Sequence, residues 1–467
     1  MPSTRATAAI VASALFMQNL DSSAVVTALP AMARDLGEDP ARLGVAITAY
    51  LVALTVFIPL SGFIADRFGA KRVFLLAIAI FGASSALCGL SDGLGELVLW
   101  RVAQGLGGAM MVPVGRLLLL SSIRKEEMLT AMTWLTMPAM LGPISGPPLG
   151  GLLTDLLGWR SVFFINVPVA LLGLALVAWK IPPSERRDPG PPDIKGLLLL
   201  GGALAAFMAG LETVGRGVLP PWWPEALLLA GLALGALALR HLRRASRPAL
   251  ELALLREPGF RAATLAGSLF RTGAGAVPFL VPMLLQVGFG WGATESGFVT
   301  FATALGAFAM KPLARPLLRR LGFRTALAAN TVLAALGVAA GALFTPAWPV
   351  AAMFAVLALG GLSRSLNFTA LNTLAFADLP KEKLSAGTGF YGMAQQMPGA
   401  VAVVLATASL EAARHWRGGA ALAPADFTAA FVAAALVVLC AVPGFLALPR
   451  GAGAAVSGHR PRGVSPS

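Results

Sequence analysis

Charge is what this 467-residue sequence has least of. Only 12% of its residues are Asp, Glu, Lys or Arg, against about 25% in a soluble domain. That scarcity excludes an ordinary soluble fold, although the length alone would suit two or three soluble domains. Two cysteines, Cys88 and Cys440, exclude a disulfide framework, and both lie in apolar runs as expected of core thiols. The three histidines, His241, His415 and His459, are scattered among loops and tail. No metal cluster or catalytic constellation is legible, and an enzyme has no residue support. No stretch fits GxxxxGK[ST], which argues against an integral ATPase, and "GLGGA" near residue 105 is no dinucleotide fingerprint. No cofactor is expected.

What is present is apolar. Hydrophobic residues make up 57% of the chain, and its mean hydropathy is +0.77. A membrane helix needs about 20 mostly apolar residues. Fourteen runs qualify: 8–30, 43–64, 72–91, 95–117, 129–153, 161–180, 195–213, 223–241, 262–288, 294–314, 324–344, 349–373, 386–410 and 427–448. Backbone groups in hydrocarbon must be paired within the segment, so these runs are expected to be helices. The first run continues past any plausible cleavage site and reads as a span, not a signal peptide.

Basic residues orient the spans. With both termini in the cytoplasm, 26 of the 36 Lys and Arg fall in inside loops and tails, counting Lys311 with the loop that follows it. Six fall outside, and Arg101, Arg116, Arg271 and Arg364 fall within spans. This bias satisfies the positive-inside rule. It also accounts for most of the net charge of +14 without a nucleic-acid partner. Arg116 lies near the inner end of its span and is expected to snorkel.

Two loops repeat. "GFIADRFGAKR" (62–72) and "RPLLRRLGFRT" (315–325) align Arg67 with Arg320, Gly69 with Gly322, and Lys71 with Arg324. If spans 7 and 8 are an insertion, these loops occupy equivalent places in two six-helix halves, a transporter architecture. The expected organisation is a bundle at 1–180, a linker with two added helices at 181–260, a second bundle at 261–449, and a disordered cytoplasmic tail at 450–467.

Inside the first span stands Asp21, in "FMQNLDSSAVVTALP". An ionisable residue in a span costs several kcal/mol and marks function by default. Burial raises a carboxyl's proton affinity and a nearby cation lowers it, so such a group can titrate near neutrality. Two readings stand: proton coupling, or a structural acid paired at a helix interface. Glu212, near the outer end of span 7, is the other acid close to a span.

Further motifs resemble a known family. "GFIADRFGAKR" resembles the cytoplasmic signature of the major facilitator superfamily, "RVAQGLGGA" (101–109) its helix 4 motif, and "GPISGPPLGG" (142–151) the helix 5 motif of its antiporters. "LDSSAVVTALP" and "WRSVFFINVPV" are similar to the fourteen-helix drug:proton antiporter branch of the EmrB/QacA type. "GGAMMVPVGR", "PMLLQVGFG" and "LNTLAFADLP" resemble its MdtD/HsrA group of multidrug transporters. The resemblance covers nearly the whole chain. It implies an all-α polytopic membrane protein of the major facilitator fold, two six-helix bundles plus two inserted helices. It also implies alternating access in a bacterial inner membrane, driven by the proton gradient. The chain departs from the branch at Val26, Ser23 and Arg319, where Asn, Thr and an acid are usual.

Under this resemblance helices 1 and 4 line one cavity, where Asp21 and Arg101 would lie at similar depth and interact, directly or through water. Alternatively Arg101 binds backbone carbonyls and orders the bundle. The loop bearing Gly62, Asp66, Arg67, Gly69, Lys71 and Arg72 is expected to gate. Its glycines allow close approach, Asp66 suits a helix N-terminus, and its cations suit acids or anionic lipid. Gly142, Gly146 and Gly150 recur every four residues, a small-residue face for helix packing, with Gly151 beside them. Pro143 and Pro147 allow a bend. This segment reads as a moving contact between bundles or as a static packing face.

The candidate substrate cavity holds Arg271, Gln286, Arg364, Asn367 and Gln395. No acid lies well inside spans 9 to 14, which disfavours polycationic drugs. The expected partners are a small-molecule substrate, protons and membrane lipid, and the expected state is a monomer. Two alternatives stand beside drug export: an exporter of an anionic metabolite or metal chelate, and a membrane scaffold or sensor without transport.

Overall fold

The computed structural model describes residues 4–38, 40–214, 219–419 and 421–459. Among them regular structure is helical throughout, with no strand. This is the form that pairs every backbone group within a segment immersed in hydrocarbon. Twelve helical stretches of the described residues are long and apolar enough to cross a membrane. Contacts divide the chain into two units: residues 1–124, 134–252 and 380–393, and residues 125–133, 253–379 and 394–467.

The first unit holds α1 (Thr4–Leu36), α2 (Pro40–Phe57), α3 (Ser61–Phe68), α4 (Ala70–Gly89) and α5 (Leu94–Ser122). Most of α6 (Met128–Leu157) follows, then α7 (Ser161–Phe164), α8 (Asn166–Lys180), α9 (Ile194–Thr213) and α10 (Trp223–Leu242). Helix α5 packs on α1, α2 and α4. It can do so because it lacks side chains at the crossings. A Cβ on Gly105 would stand 2.7 Å from the Tyr50 carbonyl oxygen, and one on Gly107 would stand 2.8 Å from the Phe81 nitrogen. Small residues of this kind replace the hydrophobic effect as the source of helix association in lipid. The two added helices α9 and α10 pack on each other, and α9 also packs on α2.

Asp193 anchors that added pair. Its carboxylate caps α9 by accepting from Gly196 N (2.9 Å), and it also accepts from His241 Nε2 (2.8 Å) and Ala249 N (3.0 Å). Burial opposes its charge, but these donors outweigh burial and hold the carboxyl below its ordinary range. A lowered carboxyl stabilises the fold above the unfolded pKa of about 3.9, and that contribution vanishes as pH falls through the folded value. Asp193→Ala is therefore expected to lower the midpoint of thermal unfolding in detergent at pH 7. The gap to the parent protein should narrow as the pH is taken below 4. An unchanged gap at low pH would show that charge is not what Asp193 contributes.

The second unit holds α11 (Pro258–Arg261), α12 (Gly267–Gly275), α13 (Val277–Met283), α14 (Ala293–Ala340), α15 (Val350–Ala377), most of α16 (Leu384–Arg417), α17 (Pro424–Leu439), α18 (Val442–Leu446) and α19 (Ala454–Ser457). Helix α14 has 48 residues, about 70 Å at 1.5 Å per residue, more than twice the hydrocarbon thickness of about 30 Å. It is broken at Gly322, whose φ is 71° and ψ 164°. Gly69, between α3 and α4, has φ 89°. The two glycines aligned in the loop repeat thus share a backbone region that L-residues rarely adopt.

Three expectations are corrected here. The tail is not disordered over residues 451–459. Val456 and Ser457 are buried, Gly453 N donates to Asp378 Oδ2 (3.1 Å), and His459 Nδ1 meets the Arg319 carbonyl at 3.0 Å. Residues 460–467 lie outside the described residues. Cys88 is buried, but Cys440 is exposed, and both are free thiols. Lys311 is no loop residue: it is 7% exposed within α14, with Nζ 3.4 Å from Thr369 Oγ1.

Candidate functional site

Asp21 sits in the middle of α1 and is 1% exposed. Both of its carboxylate oxygens are occupied. Arg101 Nη1 donates to Oδ2 at 2.7 Å. Gln104 Nε2 and Asn166 Nδ2 donate to Oδ1 at 3.0 and 2.8 Å. The ion pair is therefore direct. Arg101 Nη1 also reaches Gln104 Oε1 at 2.6 Å, and its guanidinium lies 4.2 Å from the Tyr50 ring centre, a cation–π contact. Asn166 Nδ2 further donates to Ser85 Oγ (3.0 Å), which donates to the Phe163 carbonyl (2.9 Å). Helices α1, α2, α4, α5 and α8 each contribute a side chain to this cluster. Leaving either charge alone in such an interior would cost several kcal/mol.

Sequence reasoning named Asp21 and Arg101 and missed Gln104, Asn166, Ser85 and Tyr50. Gln104 had a signal, for it stands one turn from Arg101 and shares its helix face. Asn166, Ser85 and Tyr50 come from distant segments, and only the packing brings them in.

The helix carrying Asp21 is seated by α6. A Cβ on Gly142 would meet the Asn19 side chain at 2.6 Å, while Gly146 faces Ser23 and Gly150 faces Thr27 and Ala24. Ser23 Oγ donates to the Gly142 carbonyl at 3.2 Å. The four-residue repeat is thus a packing face on α1 within the first unit. Gly151 has open space where a Cβ would be. The side chains of Pro143 and Pro147 lie outside the described residues.

In the 62–72 loop, Asp66 stands in the last turn of α3, not at the start of that helix. Its Oδ2 accepts from Ser385 Oγ, in the first turn of α16, so the N-terminus it meets belongs to another helix. Gly62 lies so close to that turn that a Cβ would stand 2.5 Å from the Ser385 carbonyl oxygen. The segment after α8 closes over the loop. Arg187 N donates to the Asp66 carbonyl (2.8 Å), Lys71 N donates to Ser184 Oγ (3.1 Å), and Lys71 Nζ donates to the Ala178 carbonyl (2.9 Å). Arg67 and Arg72 remain exposed. A cavity of about 560 Å³ opens beside Asp66, lined by Ser121, Ser184, Arg187, Lys381 and Ser385 among others. Arg116 does not snorkel: it is 4% exposed and its guanidinium lies 5.4 Å from the Tyr391 ring centre.

Four of the proposed cavity residues of the second unit have partners of their own. Arg271 is buried, donates to the Ala263 carbonyl at 3.3 Å and lies over the Phe368 ring. Asn367 is fully buried in a network between α14 and α15, bonded to Thr331 Oγ1 and Asn330 Nδ2. Gln395 donates to Asn372 Oδ1 (2.7 Å), and Gln286 to Ser296 Oγ (3.2 Å). Arg364 is half-buried on α15.

An ion pair buried among membrane-length helices marks ion and substrate pathways in membrane transport proteins. The family model of the Major Facilitator Superfamily matches residues 11–403 and 264–462, and the chain belongs to this family. It is a membrane transporter and not an enzyme. A protein of Citrobacter koseri named "Putative multidrug resistance protein MdtD" is 36% identical over 405 residues, covering 86% of each chain. Its namesake in Salmonella typhimurium is 35% identical over a similar span of 401 residues, covering 85% of this chain and 84% of its own. Among solved structures, the human organic anion transporter MFSD10 (TETRAN) has a TM-score of 0.67 at 16% identity. That match covers 95% of this chain and all of the other.

Proposed function

We propose that this protein is a proton-coupled exporter of small organic compounds, a drug:H+ antiporter working by alternating access across the bacterial inner membrane. The observation that carries the reading is Asp21, a buried acid held by Arg101 inside a bundle of apolar helices. Protonating it would dismantle an ion pair that links α1 to α5, so a proton and a helix rearrangement are coupled through one bond. The similarity to MdtD proteins supports drug efflux. The reading has fourteen spans, counting α6 and the two segments of α14 on either side of Gly322. Both termini are cytoplasmic, as the basic loops favour. The proton gradient supplies the energy, and the working unit is a monomer. Proteoliposomes under an imposed pH gradient test the reading: added substrate should release protons in a fixed ratio to its own movement. Substrate flux with no proton counter-flux would refute the antiport.

A second reading, export of an anionic metabolite or metal chelate, is favoured by the cations within the spans of the second unit. Arg271, Lys311 and Arg364 lie along α12, α14 and α15. Glu295, Asp378 and Asp426 lie at or beyond helix ends. A cation in such a place favours an anion or a neutral dipole over a second positive charge. Anionic or neutral compounds are thus expected to be transported better than permanent dications. Competition binding with matched anionic and dicationic ligands checks this. Tighter dication binding, unaffected by Arg271→Ala or Arg364→Ala, would overturn it.

A further inference from the structure

Among the described residues, the side chains bonded to the Asp21 carboxylate are three donors: Arg101, Gln104 and Asn166. That suits the anion, which accepts hydrogen bonds only. A protonated carboxyl must also donate one. For the present bonding set to hold a protonated Asp21, one of these partners must turn an acceptor toward it. Arg101 has none to offer. Gln104 has Oε1, but that atom is already held by Arg101 at 2.6 Å, and turning the amide would set its NH₂ against the guanidinium. Asn166 has Oδ1, which is buried and has no hydrogen-bond partner among the described residues. Rotating its amide by half a turn would break no bond at Oδ1, would give up the two bonds that Nδ2 now donates to Asp21 and Ser85, and would bring the oxygen to the place Nδ2 now holds, where both can donate to it.

We infer that Asn166 is the positioning residue that switches with Asp21: its amide donates to the charged carboxylate and turns to accept from the protonated one. The inference rests on Asp21 being the proton site. The proton enters on Asp21 Oδ1, and no other atom gains or loses one. Asn166 Oδ1 then accepts from that O–H and from Ser85, whose hydroxyl swings away from the Phe163 carbonyl it now binds at 2.9 Å. Phe163 lies in α7, immediately before α8. A change of charge on α1 thereby becomes a change of bonding on α4 and at the head of α8. Arg101, its partner neutralised, keeps Gln104 Oε1 and the Tyr50 ring. The titratable groups with an electrostatic influence on this cluster are Arg101 from α5, Tyr50 from α2 and Cys88 from α4; α8 presents only the neutral Asn166. Tyr50 and Cys88 bear no charge at neutral pH in an apolar site, so neither competes with Asp21 for the role.

The test uses full-length protein in proteoliposomes and compares the pH dependence of transport in four forms. In Asn166→Leu, a side chain of similar volume that can neither donate nor accept, the pH of half-maximal transport should rise by about one unit, the effect of losing one hydrogen bond to a charged group. Ser85→Ala keeps the amide but frees it to turn, and should shift the profile the same way by less. Infrared difference spectra across a pH jump should contain an asparagine side-chain carbonyl band in the parent protein that Asn166→Leu removes. A parental profile and spectrum in Asn166→Leu, with pH dependence abolished in Asp21→Asn, would overturn the switch and leave proton coupling standing. Parental pH dependence in Asp21→Asn would overturn both. Should Asn166→Leu fail to insert, Ser85→Ala decides: the band present and the profile shifted supports the switch, and a parental profile refutes it.

Discussion

Asp21→Asn is expected to reduce gradient-driven transport to the level of protein-free liposomes. The substitution keeps the shape of the side chain and removes the proton it could carry. It also leaves Arg101, 1% exposed, with no counter-charge, a loss of about 3–5 kcal/mol for a buried pair. A transport defect could therefore be mistaken for simple instability. The double substitution Asp21→Asn with Arg101→Met separates the two causes. Removing both charges relieves the unpaired cation, and such replacements are often neutral or stabilising. Thermal unfolding in detergent should return toward the parent value in the double variant, while transport should stay at background. Recovery of pH-driven transport in either variant would show that Asp21 is not the coupling site.

Asp66→Asn should have the next largest effect, and of a different kind. Asp66 Oδ2 accepts from Ser385 Oγ at the first turn of α16, where the helix dipole also favours a negative charge. Neutralising it weakens one conformation of the protein without touching substrate, so it changes rates between states. Turnover at saturating substrate should fall by up to about tenfold, the equivalent of 1.4 kcal/mol in a barrier, while substrate affinity stays at the parent value. Gly62→Ala should act in the same direction, because its Cβ would crowd the Ser385 carbonyl. Weaker binding with unchanged turnover would mean that the loop shapes the binding site and does not gate.

Much of the molecule was legible because the solvent is hydrocarbon. Apolar runs of membrane length must be helices, and a lone acid within one must be explained. Asp21 and Arg101 could be singled out for that reason and paired through the fold that the family resemblance implies, and the repeat of Gly69 and Gly322 could be seen as two equivalent breaks. Lys311 was misread because it stands four residues before Arg315 and close to a basic loop, where a long side chain ordinarily reaches water. Arg116 was misread for the same reason: the sequence shows an arginine near a helix end but not the Tyr391 ring that receives it.

The sequence by itself determined the solvent of this protein, its helical class, its internal repeat, and the acid and cation of its buried pair. Each follows from composition, from local pattern, or from matching one stretch of the sequence with another stretch or with a known family. Tertiary structure decided how the Asp21 cluster is completed, since Asn166 and the Ser85 that accepts from it come from helices whose rotation relative to α1 no local pattern encodes. It also decided that the glycine face of α6 seats α1, that the N-terminus facing Asp66 belongs to α16, and that the tail up to His459 is packed. A hydrogen bond depends on the position of two atoms to within a few tenths of an ångström. Between distant segments, only the packed fold sets that distance.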